Sequence, residues 1–210
     1  MSESELSSKP LLIAIGGLAG SGKSTLSRAI LNAYNDDKPF VHINTDAVRK
    51  ELWGADPTEK LPEQAYSRAF SQSCYDEVDR RTQNALDFGA HVIVDAGFAT
   101  EFGRGKVEET ARFCKADFVG IWLDVPPQIL RDRVDARTGD VSDADSSIVD
   151  LQLTFNLGDI KWAKFDGSQN PSQILEQVSE FLSQSGLKLQ NIPDNSPSPI
   201  RQSNFTHKKR

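Results

Sequence analysis

Apolar residues along the chain occur in two patterns, as short continuous runs and as longer stretches in which they recur every three or four positions. The short runs have the length of buried β-strands, whereas the spaced stretches are typical of amphipathic helices. The two patterns alternate, as they do in α/β proteins built on a parallel sheet. We therefore predict one α/β domain with strands at residues 11–15, 40–44, 91–94, 118–125 and 161–165.

Helices are predicted from the spacing of apolar residues and from the residues that start and stop each helix. The longest runs from about Pro62 to Phe88 and is closed by Gly89, so the segment between the second and third strands is mostly helical, as expected of a substrate-binding insert. Residues 142–145 resemble a capping box, and Pro171 opens the last helix. Other helices are predicted at 47–53, 104–115 and 128–137, after the first strand, and from the capping box at 142–145 through Phe155.

The stretch between the first strand and the first helix matches a phosphate-binding loop. Residues 17–24 read GLAGSGKS, which fits G-x-x-x-x-G-K-[ST] at every fixed position. Backbone N–H groups of such a loop bind phosphate, Lys23 reaches the β- and γ-phosphates, and Ser24 binds Mg²⁺. A chance glycine-rich turn is the alternative, but a strand and a helix flank the loop. The residues predicted to bind ATP are Gly17, Ala19, Gly20, Ser21, Gly22, Lys23, Ser24 and Thr25.

Two aspartates follow predicted strands, at the positions where ligands bind in an open parallel sheet. Asp95 ends the third strand and is expected to hold Mg²⁺, directly or through water, with the capping of a turn as the alternative. Asp46 comes just after the second strand and is placed to take the proton of an acceptor hydroxyl. It is also a candidate N-cap of the next helix, and both roles can hold at once.

A group of arginines follows the fourth strand, where a mobile lid would cover the phosphates. Arg133 and Arg137 are four residues apart and share a helix face, so we expect at least one arginine of the group to be catalytic. The alternative is an ordinary charged helix face that also includes Arg131. Arg49 lies three residues after Asp46, on the same face, and either binds an anionic substrate or is solvated.

Composition and charge disfavour several other classes of protein. The 210 residues carry a net charge of −6 and a pI of about 5.1, which does not favour a general nucleic-acid binder. No apolar run approaches the length of a membrane span. Cys74 and Cys114 have no metal-binding spacing, so we expect two buried free thiols in the cytoplasm. Residues 1–10 and the basic residues 185–210 are expected to be disordered on either side of a domain at 11–184.

The motifs together resemble those of small P-loop kinases grouped with the zeta toxins and with the kinase half of polynucleotide kinases. The phosphate loop is common to many families, whereas Thr-Asp-x-x-Arg at 45–49 and Ser-Asp-Ala-Asp at 142–145 are more specific. The likeness also includes Lys50 and the segment Gly-Asp-Val-Ser-Asp-Ala at 139–144. The closest likeness is to bacterial kinases that are grouped with the AAA-family ATPases, and it covers roughly residues 11–183.

The resemblance implies a P-loop NTPase fold. Its five-stranded parallel sheet would have the order 2-3-1-4-5 and be flanked by helices, with a helical substrate insert and a lid. The resemblance also implies that Asp46 is a general base and that Arg49 and Arg104 contact the substrate. The sequence departs from the family at Gly97, where many relatives have threonine, so one hydroxyl is missing from this part of the site.

These observations predict an ATP- and Mg²⁺-dependent kinase that phosphorylates a hydroxyl of a small-molecule or nucleotide-like acceptor. The runner-up is a nucleoside monophosphate kinase, which would not need Asp46 because its acceptor is a phosphate. A nucleotide-dependent switch or assembly ATPase and a catalytically silent nucleotide-binding module are further alternatives. The helical insert and the lid arginines favour a kinase over a switch. The residues predicted to be catalytic are Lys23, Asp46, Arg133 and Arg137.

Overall fold

The centre of the fold is a sheet of five parallel strands. A computed structural model describes residues 9–35, 38–136 and 142–190. The strands lie in the order β2-β3-β1-β4-β5, which confirms the predicted fold class and strand order. The strands are β1 (Leu11–Gly16), β2 (Phe40–Asn44), β3 (His91–Asp95), β4 (Asp117–Asp124) and β5 (Ala163–Asp166).

Helices connect the parallel strands and contribute to a hydrophobic core on each face of the sheet. The connection from β2 to β3 is the longest of them and is largely helical, as its sequence predicts. The helices are α1 (Lys23–Ala33), α2 (Thr45–Trp53), α3 (Arg68–Asp87), α4 (Glu101–Phe113), α5 (Pro127–Asp135), α6 (Ser146–Leu153) and α7 (Pro171–Ser183), with a 3₁₀ turn at Glu63–Tyr66 between α2 and α3.

Strand β1 lies in the middle of the sheet and is almost completely shielded from water. Its residues Ile13 and Ile15 belong to a core that includes side chains of α1 and α7. Leu12 and Ala14, which point to the opposite face, belong to a second core that includes side chains of α3 and α4. The loop that follows β1 is therefore anchored by a strand that is packed on both faces.

The strand register brings the predicted ligand-binding positions together. Asp95, the last residue of β3, is paired with Ile15 on one side and with Asn44 on the other. The carboxyl ends of β1, β2 and β3 therefore lie at one level, immediately before the phosphate loop and the first turn of α2. This level is where an open parallel sheet binds its ligands.

The prediction of a single helix at about 62–88 is wrong in one detail. Residues Glu63–Tyr66 form a 3₁₀ turn, and the α-helix begins only at Arg68. Ser67 separates them because its ψ angle of 151° is not helical and its hydroxyl accepts a hydrogen bond from the N–H of Phe70 at 3.4 Å. The Ser67 side chain thus caps α3, which is the usual role of serine at this position.

Helices α4 and α6 begin at other residues than predicted, and both differences follow from capping. Helix α4 begins at Glu101, three residues earlier than predicted, because the Thr100 hydroxyl accepts from the N–H of Gly103 at 3.1 Å. Helix α6 is capped by Asp145, whose carboxylate accepts from the N–H of Ser147 at 3.1 Å, and not by Ser142. The capping-box interpretation placed Asp143 in the first turn of the helix. Its carboxylate instead binds residues of the insert between β2 and β3.

The described chain extends past the domain boundary predicted at residue 184. Leu187 is buried in the core beside α1, and Leu189 forms a bridge with Tyr34. The predicted disordered segments otherwise lie outside the described residues. Cys74 is buried and Cys114 is partly exposed, and both are free thiols. Within the described ranges we found no helix with the length and apolarity that crossing a membrane would take.

Candidate active site

The phosphate loop has the backbone that its glycines predict. Gly20 and Gly22 adopt φ angles of 83° and 96°, which side-chain-bearing residues rarely adopt. A Cβ atom at Gly20 would also lie 2.7 Å from the carbonyl oxygen of Leu130, so α5 packs directly on the loop. Gly22 precedes α1, and no side chain of the described residues caps this helix. The N-terminal N–H groups of α1 are therefore available to an anion.

Lys23 folds back over the loop from the first position of α1. Its Nζ donates to the carbonyl oxygens of Gly17 at 2.9 Å and of Leu18 at 3.1 Å. Its positive charge favours the ionised forms of Asp46 and Asp95, although burial still keeps the pKa of Asp46 raised. Lys23 therefore links the phosphate loop electrostatically to the two aspartates predicted from the sequence.

Asp95 has the environment of a carboxylate that supports a metal ion. It is 1% exposed, and its Oδ2 accepts from Nδ2 of Asn44 at 2.9 Å and lies 3.6 Å from Nε2 of His42. Burial by itself raises the pKa of Asp95, but His42, Lys23, Ser24 and Asn44 outweigh it and hold the pKa below its usual range. Oδ1 of Asp95 is buried and has no hydrogen-bond partner in the described part of the chain. An ionised carboxylate with one unsatisfied oxygen fits Mg²⁺, a hard cation that prefers oxygen ligands.

Asp46 lies on the first turn of α2 and does not cap that helix. The cap is Asn44, whose side-chain oxygen accepts from the N–H of Ala47 at 2.8 Å. The Asp46 side chain is partly buried, and the desolvation of its carboxylate raises its pKa against the opposing effects of Lys23, Ser142 and Arg49. The N-cap interpretation of Asp46 is therefore wrong, because the cap of α2 does not use its carboxylate.

Arg49 is buried beside Asp46, so the solvated alternative is wrong. The residue is 5% exposed, and its Nη1 donates to the carbonyl oxygen of Ala65 at 2.7 Å and to Oγ of Ser71 at 3.1 Å. Its guanidinium carbon lies 5.0 Å from the centroid of the Tyr66 ring, within the range of a cation–π contact. Its Nε is buried without a hydrogen-bond partner among the described residues. A role in binding the substrate stays a prediction.

The two described arginines after β4, Arg131 and Arg133, have separate environments. Arg131 forms an ion pair with Asp150 of α6 at 2.7 Å. Arg133 turns towards the phosphate loop, where its Nη1 donates to the carbonyl oxygens of Gly167 at 2.8 Å and of Gly20 at 3.4 Å. Arg137 lies outside the described residues, so the shared face of Arg133 and Arg137 stays a prediction.

A cleft of about 270 Å³ opens beside Arg133 and the phosphate loop. Its walls are formed by the loop, the first turns of α1, and residues 167–171 between β5 and α7. The contribution of residues 167–171 was missed in the sequence, although every loop after a parallel strand reaches the same edge of the sheet. Gly20, Gly22, Thr25, Leu26, Arg133, Gly167 and Gln169 are among the lining residues.

Arg104 holds backbone segments together in this structure. It is 3% exposed, and its guanidinium donates to the carbonyl oxygens of Phe98 at 2.8 Å and of Leu157 at 2.5 Å. This arrangement has the form of a structural clamp between α4 and the chain before β5. The substrate contact that the resemblance implies for Arg104 has no support in these contacts. At Gly97, the position of the missing hydroxyl, a Cβ atom would meet only open space.

Two further contacts at the site were not predicted. The N–H of Ala19 in the phosphate loop donates to Oε1 of Gln152 in α6 at 2.7 Å. Lys50, the last residue of the Thr-Asp-x-x-Arg-Lys sequence, is buried and forms an ion pair with Asp143 at 3.0 Å. The sequence carries a signal for this pair, since Asp143 lies in one of the two more specific motifs and Lys50 directly follows the other.

A sequence-family model described as an AAA domain matches residues 12–155 of this chain. Comparison with curated proteins gave no match. Among solved structures, a gluconokinase from Sinorhizobium meliloti is 23% identical, with a TM-score of 0.58 over 85% of this chain and 94% of that one. APS kinase from Mycobacterium tuberculosis, in complex with AMPPNP and APS, is 17% identical, with a TM-score of 0.59 over 84% and 99%. The tunicamycin resistance protein of Deinococcus radiodurans is 16% identical, with a TM-score of 0.60 over 87% and 99%. At these identities the structural likeness shows a shared fold.

Proposed function

The chain belongs to the family described as an AAA domain, and on that basis we propose that it is an ATP- and Mg²⁺-dependent kinase acting on a hydroxyl of a small-molecule or nucleotide-like acceptor. The observation that carries the proposal is the position of Asp46. It lies in the first turn of α2, directly after the end of β2 that is paired with Asp95, and Lys23 of the phosphate loop and Arg49 favour its ionised form. A carboxylate beside the phosphate loop suits transfer to a hydroxyl, because the hydroxyl must lose its proton.

The nucleotide side of the site has the parts that phosphoryl transfer needs. The N–H groups of the phosphate loop and the ammonium group of Lys23 would bind the β- and γ-phosphates. Ser24 and Asp95 would hold Mg²⁺, which neutralises charge on the phosphates. The cleft beside Arg133 continues from the phosphate loop and has room for part of the nucleotide. Arg133, at the edge of the loop, would then stabilise negative charge on the phosphates during transfer.

The acceptor side would work through Asp46. The acceptor oxygen attacks the γ-phosphorus, the bond from that phosphorus to the bridging oxygen breaks, and ADP leaves. The acceptor proton passes to the Asp46 carboxylate. Burial raises the pKa of Asp46 towards the working pH, which makes the carboxylate a better base than an exposed one. Arg49, on the same face of α2, would bind an anionic part of the acceptor.

Two alternatives are less well supported by the same contacts. A nucleoside monophosphate kinase has an acceptor that is already ionised, so it gives no role to a desolvated carboxylate beside Lys23. A switch or assembly ATPase needs no acceptor site at all. Two of the similar structures are named as kinases, which supports the kinase class and leaves the acceptor of this chain to experiment.

The test is a transfer screen with γ-labelled ATP against pooled metabolites, nucleosides and oligonucleotides. We expect the parent to label a small-molecule or nucleotide-like hydroxyl and the Asp46→Asn variant to bind Mg-ATP with unchanged affinity. Transfer by this variant should fall by about 10²–10⁴, the usual contribution of a general base. Full transfer by Asp46→Asn would remove Asp46 from the mechanism and favour the monophosphate kinase. A parent that hydrolyses ATP and labels no acceptor would favour the switch ATPase.

A further inference from the structure

The carboxylate of Asp143 joins the segment between α5 and α6 to the insert between β2 and β3. Its Oδ1 lies 3.0 Å from Nζ of Lys50, and its Oδ2 accepts from the hydroxyl of Tyr66 at 2.6 Å and from the N–H of Leu61 at 2.9 Å. We call Lys50, Leu61, Tyr66 and Asp143 the clasp. Both carboxylate oxygens of Asp143 are therefore used by the insert.

The charges of the clasp are nearly inaccessible to water. The side chains of Lys50 and Asp143 are 3% and 9% exposed. Lys50 also donates to the carbonyl oxygen of Pro57 at 3.0 Å. Burial raises the pKa of Asp143, but its bonds from Tyr66, Leu61 and Lys50 outweigh this effect and keep the pKa low. A buried lysine without its carboxylate is costly, so each charge requires the other.

The clasp touches the same face of α2 that carries the proposed base. Lys50 lies four residues after Asp46, so the two side chains share one helix face. The ring of Tyr66 packs against the guanidinium group of Arg49 at 5.0 Å. Ser142, next to Asp143, lies near enough to Asp46 to lower its pKa. The clasp therefore fixes residue 142 and its neighbours against Asp46 and Arg49.

We propose that Asp143 is a positioning residue of the acceptor site, which holds residues 142–145 over Asp46 and keeps water away from the base. This inference rests on the proposed phosphoryl transfer. Asp143 needs no contact with the acceptor, because it acts through Lys50 and Tyr66. Exclusion of water matters in a kinase, since a base that activates water hydrolyses ATP without using the acceptor.

The chain offers a matched control for the clasp. Lys60 and Asp145 join the same two segments, with Nζ and Oδ2 3.7 Å apart, but their side chains are 74% and 51% exposed. An exposed pair of this kind contributes little to stability. Lys60→Met thus removes a cation from the same surface without opening the clasp, whereas Lys50→Met removes the buried one.

The experiment measures hydrolysis of Mg-ATP by the full chain without any acceptor, so it does not depend on the acceptor being known. We expect hydrolysis to rise at least about threefold in Asp143→Asn and in Lys50→Met, and to stay at the parent rate in Lys60→Met. A purely structural role would lower the melting temperature and would not raise hydrolysis. The rise should disappear when Asp46→Asn is added to Asp143→Asn, because the freed base is then absent.

A second variant covers the risk that one unpaired charge prevents folding. Lys50→Met combined with Asp143→Leu removes both charges together, which is often tolerated in a protein interior. Hydrogen exchange at the Leu61 amide should then be faster than in the parent, because its acceptor is gone.

Unchanged or lower hydrolysis in the folded variant that combines Lys50→Met with Asp143→Leu would overturn the inference. If the parent binds and hydrolyses Mg-ATP while every variant matches it, only the clasp inference fails. If the parent does not bind Mg-ATP, the proposed function fails as well.

Discussion

Asn44 is the residue whose substitution tests the geometry of the site most directly. Two bonds of its side chain have different consequences: the oxygen caps α2 through the N–H of Ala47, and Nδ2 donates to Asp95. Nδ2 also makes a longer contact of 3.5 Å with Oγ of Ser24. Asn44→Ala removes both bonds. Asn44→Ser keeps a capping oxygen, but its shorter side chain loses the bond to Asp95. The two variants therefore separate the cap from the support of Asp95.

The expected size of each effect follows from the type of bond. Loss of an N-cap costs about 1 kcal/mol of unfolding free energy. Loss of a hydrogen bond to a charged group costs about 1.5–3 kcal/mol. Asn44→Ala should therefore lower the free energy of unfolding by about 2.5–4 kcal/mol, and Asn44→Ser by about 1.5–3 kcal/mol. Urea unfolding, with unchanged m-values, gives both numbers.

Both variants should also change how ATP turnover depends on the Mg²⁺ concentration. The bond from Asn44 is one of the contacts that keep the pKa of Asp95 low, so its loss leaves the carboxylate less well oriented and easier to protonate. Loss of such a supporting contact typically weakens metal binding about 10–100-fold. The Mg²⁺ concentration that half-saturates ATP turnover should rise by that factor in Asn44→Ala and in Asn44→Ser alike. Equal stability of parent and both variants, with the parental Mg²⁺ dependence, would refute the reasoning.

Three further predictions concern the proposed kinase. Lys23→Ala should abolish ATP turnover and weaken Mg-ATP binding without a change in fold, as measured by titration and circular dichroism. Arg133→Ala should lower turnover far more than Mg-ATP affinity, by up to roughly 10³–10⁵ if its charge meets the transition state, and equal effects on both would contradict this role. Asp46→Asn should be more stable than the parent at neutral pH. The pKa of Asp46 is raised by folding, so the folded parent loses stability as the pH rises from the unfolded-state pKa of 3.8 through the higher folded-state pKa. Asparagine carries no charge and avoids this loss. The difference in melting temperature should vanish in acid, and a difference that persists there would contradict the burial of Asp46.

The sequence predicted the sheet and the phosphate loop well because both depend on local pattern. Apolar runs located the five strands, and the resemblance supplied their order. The break at Ser67 was missed because a helical spacing of apolar residues continues across it. The start of α3 depends on a single hydrogen bond, which the Ser67 hydroxyl accepts from the N–H of Phe70. Element ends depend on such single hydrogen bonds, which a periodic pattern does not contain.

The site was harder to predict where its contacts join distant parts of the chain. The positions of Asp46 and Asp95 follow from strand ends, but the choice of Asn44 as the cap depends on its fit to both Ala47 and Asp95. The pairing of Lys50 with Asp143 links residues that are far apart in sequence, so no local spacing reveals it.

The central position of β1 has a consequence for how the two halves of the site open. Amide hydrogens in a strand that is paired on both sides and buried on both faces exchange only when much of the molecule unfolds. The phosphate loop is attached to that strand, whereas Asn44 ends β2 and Asp46 follows it, and in the described sheet β2 is paired on one side only. Local opening should therefore release the acceptor side at a lower free energy than the nucleotide side. The phosphate loop would stay folded and able to bind phosphate while the acceptor side opens and closes.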